Sequence, residues 1–314
     1  MPCHWGHKAL NVISKSSCTG TQFLQGVGAA EASWYRERVS EVQDLVEGSG
    51  DEVMLVTTGD GTTSEGEFFE ALNTASNKKL PIIFLVEDNG YAISVPVEVQ
   101  TAGGSISNLV KGYPDLKVIQ DVDGCDVEAS YMAFQEAAEW CRSRKGPALI
   151  HAHVVRPYSH SMSDDESNYR PNDEREAEAL RDPIRVTKAL LMARGICTEE
   201  EVIAIEKSVD EEIEAATRAA LNAPTPEPKD VMQYIYADHA DPTGDAFDSP
   251  PVYAEGETAN KTMVDLINAC LRDEMARDPR MLVFGQDVAD ASREEVLDSC
   301  KGKGGVFKVT HGLQ

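Results

Sequence analysis

Short apolar runs alternate along this chain with stretches whose apolar residues recur at three- and four-residue spacing. Val53 to Thr58 is β-branched and apolar and reads as a buried strand. It stops at Gly59-Asp60-Gly61, where glycines on both sides of a carboxylate leave the backbone free to turn tightly. Ser64 and Glu67 then have the spacing of a capping box, and Phe68, Ala71, Leu72 and Ala75 follow at helical spacing. A second buried strand is expected over Leu80 to Val86, ending on Glu87-Asp88-Asn89-Gly90. Lys117 to Gln120 and Pro147 to Val155 read as a third and a fourth strand. Between them, Ala129, Met132, Ala133, Ala137, Trp140 and Cys141 recur as a helix. Gln22 to Ala32 is small and apolar, as in a tightly packed helix. Strands alternating with helices predict an α/β fold, with a parallel sheet covered on both faces.

The rest of the chain is punctuated differently. Residues 156–182 show no apolar period, and so long a loop in a compact domain is either functional or disordered. Val186, Ala189, Leu190 and Ala193 mark a helix that ends at Gly195. The box Thr198-x-x-Glu201 opens another helix, carrying Val202, Ile205, Val209, Ile213, Ala216 and Ala220 against an acidic, solvent-facing side. Residues 222–258 hold six of the fifteen prolines, eight acids and one base, Lys229. That composition predicts an extended linker, docked in places through Tyr234 and Tyr236. Beyond it, Met263, Leu266, Ile267, Cys270 and Leu271 form an amphipathic helix, and Met281 to Gly285 reads as a strand. The expected organisation is a first domain over 1–221, a linker over 222–258 and a partial second α/β domain over 259–314.

Composition narrows the function classes. The formal charge of -25 over 314 residues argues against binding nucleic acid or an anionic membrane surface. Seven cysteines without a C-x-x-C pair fit a reducing compartment, so a cytoplasmic location is expected. No uninterrupted apolar segment approaches about 18 residues, and residues 1–17 lack the pattern of a secretory signal.

Candidate chemistry lies at the ends of the first two strands. If those strands are parallel neighbours, Asp60 and Asn89 converge beside a helix N-terminus, where an anion binds in an open α/β sheet. A carboxylate about 4 Å from a phosphate charge costs roughly 4 kcal/mol at an effective dielectric near 20, so a cation is needed between them. One carboxylate and one amide make a hard, oxygen-only set that suits Mg2+. The competing reading of Gly59-Asp60-Gly61 alone is an ordinary turn with solvated polar groups. A Mg2+-dependent phosphohydrolase using Asp60 and a non-catalytic cofactor-binding module are the alternatives from other classes.

The 29-residue offset between Asp60 and Asn89, followed by Gly90-Tyr91-Ala92-Ile93-Ser94, resembles the thiamine diphosphate signature. That signature is GDG followed by Asn-Asn, and here Asp88 replaces the first Asn. The surrounding sequence resembles the alpha subunit of the decarboxylating component of 2-oxo acid dehydrogenase complexes. The resemblance implies thiamine diphosphate held through Gly59, Asp60, Gly61 and Asn89, with Mg2+ on Asp60, Asn89 and the Tyr91 carbonyl. Residues 1–6, Met-Pro-Cys-His-Trp-Gly, and then Ser16 to Gln22 resemble a further family segment. It implies that Ser17 and the main chain of Thr19 approach the cofactor's pyrimidine, and that this turn is a candidate K+ site, although Cys18 replaces the usual proline. Without the resemblance, His4 and His7 read as surface histidines. His160-Ser161-Met162-Ser163-Asp164 and Tyr169-Arg170 match the active-site loop, which implies a catalytic, diphosphate-contacting His160. Ser161 matches the serine that mitochondrial relatives phosphorylate. Residues 260–314 resemble the opening of a beta subunit, so the expectation is a fused chain, incomplete at its N-terminus and cut short in its beta part. The implied reaction is oxidative decarboxylation of a 2-oxo acid, branched-chain in preference to pyruvate, with acyl transfer to a lipoyl group. The implied partners are a beta-type subunit or a second copy of the fused chain, and a lipoyl-bearing acyltransferase.

Overall fold

The computed structural model describes residues 6–14, 16–43, 50–233, 244 and 260–314. Contacts divide the chain into two units, Met1–Lys207 and Ser208–Gln314. In the first unit the strands are β1 (Met54–Gly59), β2 (Ile82–Asp88), β3 (Tyr91–Ala92), β4 (Val95–Pro96), β5 (Lys117–Asp123) and β6 (Ala148–His153). Its helices are α1 (Thr21–Arg36), α2 (Ser40–Gln43), α3 (Gly66–Lys78), α4 (Val97–Gln100), α5 (Ile106–Val110), α6 (Val127–Arg142), α7 (Asn172–Ala179) and α8 (Pro183–Ala193). Helix α9 (Glu199–Asn222) runs across the boundary, and α10 (Met263–Arg277) lies in the second unit.

The four longer strands form one parallel sheet in the order β1-β2-β6-β5. The sequence periods explain its two cores. Phe84 and Val86 on β2 and Leu149 on β6 face α1 and α3, where Phe23, Phe68, Ala71 and Leu72 are fully buried. Ile83, Leu85, Ile150 and Ala152 point the other way, onto Ala133, Ala137 and Cys141 of α6. The Phe23 ring lies 5.2 Å from Phe68 and 6.4 Å from Phe84, within the range of favourable aromatic contact. Helix α1 approaches the sheet through Gly26, where any side chain would collide with Val56. The expected parallel sheet with helices on both faces is therefore present.

Several local expectations are corrected. Ser64 and Glu67 make no capping box, because a 3-10 turn over Gly61–Ser64 intervenes and α3 starts only at Gly66. Thr63 closes that turn, its N–H (3.1 Å) and Oγ1 (2.7 Å) both donating to the Asp60 carbonyl. Neither Gly59 nor Gly61 has a positive φ; Gly61 is needed because a Cβ there would lie 2.8 Å from Ala92 Cβ. The third strand runs beyond Gln120 to Asp123, through an irregularity between Ile119 and Val122. Residues 156–182 are not one loop: they hold α7 and a 3-10 turn, Glu166–Asn168. The predicted box at α9 does form, with Thr198 N–H donating to Glu201 (2.8 Å) and Glu201 N–H to Thr198 Oγ1 (3.2 Å). The apolar stripe of α9 is nevertheless exposed at Ile205, Val209 and Ile213, with only Val202 of the helix buried.

In the second unit, Thr262 and Asp265 cap α10 reciprocally. Asn268 on α10 donates to the Val309 and His311 carbonyls, both at 2.9 Å. Met281 to Gly285 does not form the predicted strand: no described strand lies beside it, and Leu282 and Phe284 face solvent. Tyr234, Tyr236 and most of the expected linker lie outside the described residues, as does His4; His7 is exposed as expected. No helix among the described residues is long and apolar enough to cross a membrane.

Candidate functional site

Parallel pairing of β1 with β2, Gly59 opposite Glu87, brings both strand ends to one edge of the sheet. Asp60 follows β1 directly and is 1 % exposed. Neither oxygen of its carboxylate has a hydrogen-bond partner. Its pKa is raised, first by burial and then by the Asp88 charge. The main-chain amides of Asp60 and Asn89 and the Arg156 charge oppose that rise and do not overcome it. A buried, unpartnered carboxylate is costly, and such groups are normally paired or bound to metal.

The segment after β2 wraps round Asp60. Asn89 Oδ1 accepts from Tyr91 N–H at 3.2 Å, and Gly90 turns the chain with φ 81°. The β3–β4 hairpin then pairs Tyr91 with Pro96, and Gln100 at the end of α4 donates to the Asp60 carbonyl at 3.1 Å. Asp60, Asn89 and Tyr91 are thus brought together. Gly59 and Gly61 flank the carboxylate, with Ala92 closing over Gly61. The turn before α1 is positioned beside this edge: Gly20, with φ 91°, sits so that a Cβ would lie 3.1 Å from Glu65 Cβ. Ser17 and Thr19 in that turn are exposed.

The 156–182 segment docks on the same hairpin through Asp164, Tyr169 and Arg170, which the sequence reading places in the loop, and through Arg156 and three glutamates, which it passes over. Arg156 donates to the Ile93 carbonyl (2.9 Å) and to Tyr169 Oη (2.8 Å). Tyr169 in turn donates to Asp164 Oδ2 (2.6 Å), which also accepts from His160 N–H (3.0 Å). These hydrogen bonds, Tyr169's foremost, hold the Asp164 carboxyl below the usual range. His160 and Ser161 are exposed, so the loop presents His160 by its main chain. Arg170 is buried at the centre, against Glu166 (3.1 Å), Glu174 (3.2 Å) and Glu178 (2.6 Å). Burial alone would lower its pKa; the three carboxylates overcome that and raise it. Tyr91 Oη donates to Glu174 at 3.2 Å, and the Arg170 guanidinium lies 4.9 Å from the Tyr91 ring centre. The signal in the sequence was the four-residue spacing of Glu166, Arg170, Glu174 and Glu178, of which only Glu174 and Glu178 share a helix, α7.

Asp88 is also buried at this edge. Burial would raise its pKa, but hydrogen bonds from His151 and from Gly90 N–H outweigh that and lower it. His151 Nε2 lies 2.8 Å from Asp88 Oδ2, and its Nδ1 lies 2.7 Å from Ser107 Oγ.

The fold and site define an α/β protein with a buried carboxylate, its oxygens unpartnered, at the carboxyl ends of two adjacent parallel strands. The chain belongs to the family described as Dehydrogenase E1 component, whose profile matches residues 2–229. It is 36% identical over 241 residues to the 2-oxoisovalerate dehydrogenase subunit alpha of Bacillus subtilis (strain 168), covering 76% of this chain and 68% of that one. It is 34% identical over 227 residues to the mitochondrial pyruvate dehydrogenase E1 component subunit alpha of Dictyostelium discoideum, covering 72% and 56%. The 3-methyl-2-oxobutanoate dehydrogenase subunit alpha of Mycobacterium tuberculosis (strain CDC 1551 / Oshkosh) is 38% identical over 224 residues, covering 70% and 56%. The chain thus spans between 56% and 68% of the length of these relatives.

Proposed function

We propose that this chain is the alpha-type part of a 2-oxo acid dehydrogenase, binding thiamine diphosphate through Mg2+ and acting in the oxidative decarboxylation of a 2-oxo acid. The observation that carries the reading is Asp60, a buried carboxylate with two unpartnered oxygens beside the Asn89–Tyr91 turn. Its donors fit a hard cation: carboxylate from Asp60, amide oxygen from Asn89 and main-chain oxygen from Tyr91. When bound, the cofactor would supply the carbanion-stabilising chemistry of decarboxylation. The chain's own groups anchor and orient. Asp60, Asn89 and Tyr91 hold the metal, Gly59 and Gly61 let the backbone approach, and Ser17 and Thr19 border the same edge. Arg156, Tyr169 and Asp164 hold the His160 segment over the hairpin, leaving the imidazole free to donate to a phosphate or carry a proton.

The substrate class is a branched-chain 2-oxo acid in preference to pyruvate, with the acyl group passed to a lipoyl-bearing acyltransferase. The reading places the alpha-type domain at 1–221, a linker at 222–258 and the opening of a beta-type domain from 259, with a beta-type subunit as partner and a cytoplasmic location. K+ at Ser16 to Gln22 belongs to the same reading. Calorimetric titration with thiamine diphosphate tests it, with and without Mg2+. Saturable, Mg2+-dependent binding that is lost in Asp60→Ala is expected. Cofactor affinity unchanged by that substitution would refute the assignment. Phosphate release without any dependence on thiamine diphosphate would favour a phosphohydrolase instead.

A further inference from the structure

We propose that Asp88, His151 and His153 form a second metal site, specific for a divalent first-row transition ion such as Zn2+. The proposal does not rest on the function above, and its nitrogen-rich donor set differs from the oxygen-only set at Asp60. One ligand atom from each of the three residues lies within 4.8 Å of the others. Asp88 Oδ2 is 2.8 Å from His151 Nε2 and 3.8 Å from His153 Nδ1, and the two rings are 4.6 Å apart.

The cluster follows from strand geometry. His151 and His153 alternate on β6, so both project to the face that carries Leu149, and Asp88 shares that face with Val86 on β2. Parallel pairing sets Val86 opposite His151 and Asp88 opposite His153, which stacks the three at the ends of their strands.

A second observation singles these groups out as ligands. Each histidine has its other ring nitrogen engaged: His151 Nδ1 with Ser107 Oγ at 2.7 Å, and His153 Nε2 with Asp121 Oδ1 at 3.4 Å. Asp121 sits in the β5 irregularity with φ 56°, a placement that aims it at His153. Metal-binding histidines characteristically donate their outer N–H to a carboxylate or another oxygen, which turns the free nitrogen toward the ion. In the metal-free protein His151 Nε2 hydrogen-bonds Asp88 Oδ2; an ion would displace that shared proton, with His151 Nδ1 then donating to Ser107 and His153 Nδ1 completing the set. Asp88 Oδ1 accepts from Gly90 N–H at 2.8 Å, so Oδ2, which His151 holds in the metal-free protein, is the oxygen an ion would take. Two imidazoles and a carboxylate suit Zn2+, Fe2+ or Mn2+, with remaining positions for water or ligand. His153 is half-exposed and gives the site an entry.

The full chain, stripped with chelator and saturated with Mg2+, would be titrated with Zn2+ by calorimetry and with Co2+ by visible spectroscopy. The expected result is one saturable site whose Co2+ bands lack sulfur charge transfer, which separates it from the free cysteines. His153→Ala should weaken it by more than about tenfold, and Asp121→Asn by about 10- to 100-fold, both with unchanged circular dichroism. His153 is preferred to the fully buried His151, whose loss could unfold the sheet. Asp60→Ala should leave the Co2+ spectrum of the site unchanged. Absence of saturable binding, affinity indifferent to His153→Ala, or bands dominated by sulfur would each overturn the site.

Discussion

Single residues here carry energetic tension that the fold tolerates. Asp60 is ionised at a cost in the metal-free protein. Because its folded pKa is raised, the fold favours the protonated form, and the penalty grows as pH climbs from the unfolded value, about 3.9, through the folded one. Asp60→Asn keeps the shape and removes the charge. It should therefore raise the thermal midpoint of the metal-free protein at neutral pH, with the gain shrinking as pH falls toward about 4. Mg2+ with thiamine diphosphate should stabilise the parent chain and not the variant. Scanning calorimetry over a pH series reads both, and a lower midpoint for Asp60→Asn at neutral pH would contradict the argument. Cys141 makes the same point from the apolar side: burial between α6 and the sheet pushes its thiol up to about 12. It should resist alkylation at pH 8 to about 9 until the protein unfolds, while exposed Cys18, Cys270 and Cys300 react; peptide mapping after labelling reads the difference.

At the scale of elements, the 156–182 segment behaves unlike its composition suggests. Its charges are not left to solvent: Arg170 gathers Glu166, Glu174 and Glu178, and the Tyr91 and Tyr169 rings lie 6.2 Å apart beside it. Removing one partner from a buried ionic cluster typically costs about 3–5 kcal/mol. Arg170→Met should accordingly free the segment, and limited proteolysis should cut it much faster without a matching loss of sheet structure. The β3–β4 hairpin has the opposite defect. Ile93, β-branched and half-exposed, occupies the left-handed region with φ 58°, a strain on the order of 1–2 kcal/mol. Ile93→Asn should raise stability by about 1 kcal/mol, measured by denaturant unfolding. These two cases show what the sequence disclosed. The four strands of the parallel sheet and α1, α3 and α6 were legible because each buries an apolar face, whereas β3 and β4 bury none and Met281 to Gly285 formed no strand. The Asp60–Asn89 pairing was legible because strand-end positions follow from strand limits. The Arg170 cluster and the Asp88–His151 contact were missed because they depend on register between segments 63 residues or more apart, or on side chains aligned by a helix that hydropathy does not mark. The Ser64 box failed because a short 3-10 turn outcompeted it locally.

At the scale of the whole molecule, the question is whether this chain turns over unaided. On the proposed function, the groups gathered around Asp60 would hold the metal and the cofactor's diphosphate. The family match ends at residue 229, and each of the three relatives named above is a "subunit alpha". The second unit is thinly built: among its described residues Phe284, Val306 and Phe307 are exposed at 89%, 75% and 78%. Burying a large apolar side chain is worth about 1.5–3 kcal/mol, so three left in water forgo several kcal/mol of stabilisation. Such a unit should be held loosely until a complementary surface covers it. A complete beta-type subunit, following the proposed function, would both cover those side chains and supply the other wall of the cofactor site. Purified residues 1–314 should therefore bind thiamine diphosphate with Mg2+ weakly and release negligible carbon dioxide from 3-methyl-2-oxobutanoate with an artificial electron acceptor. Adding a complete beta-type subunit should restore turnover and slow proteolysis of residues 260–314, with 3-methyl-2-oxobutanoate used ahead of pyruvate. Robust carbon dioxide release from the chain alone would show that the catalytic groups all lie within it.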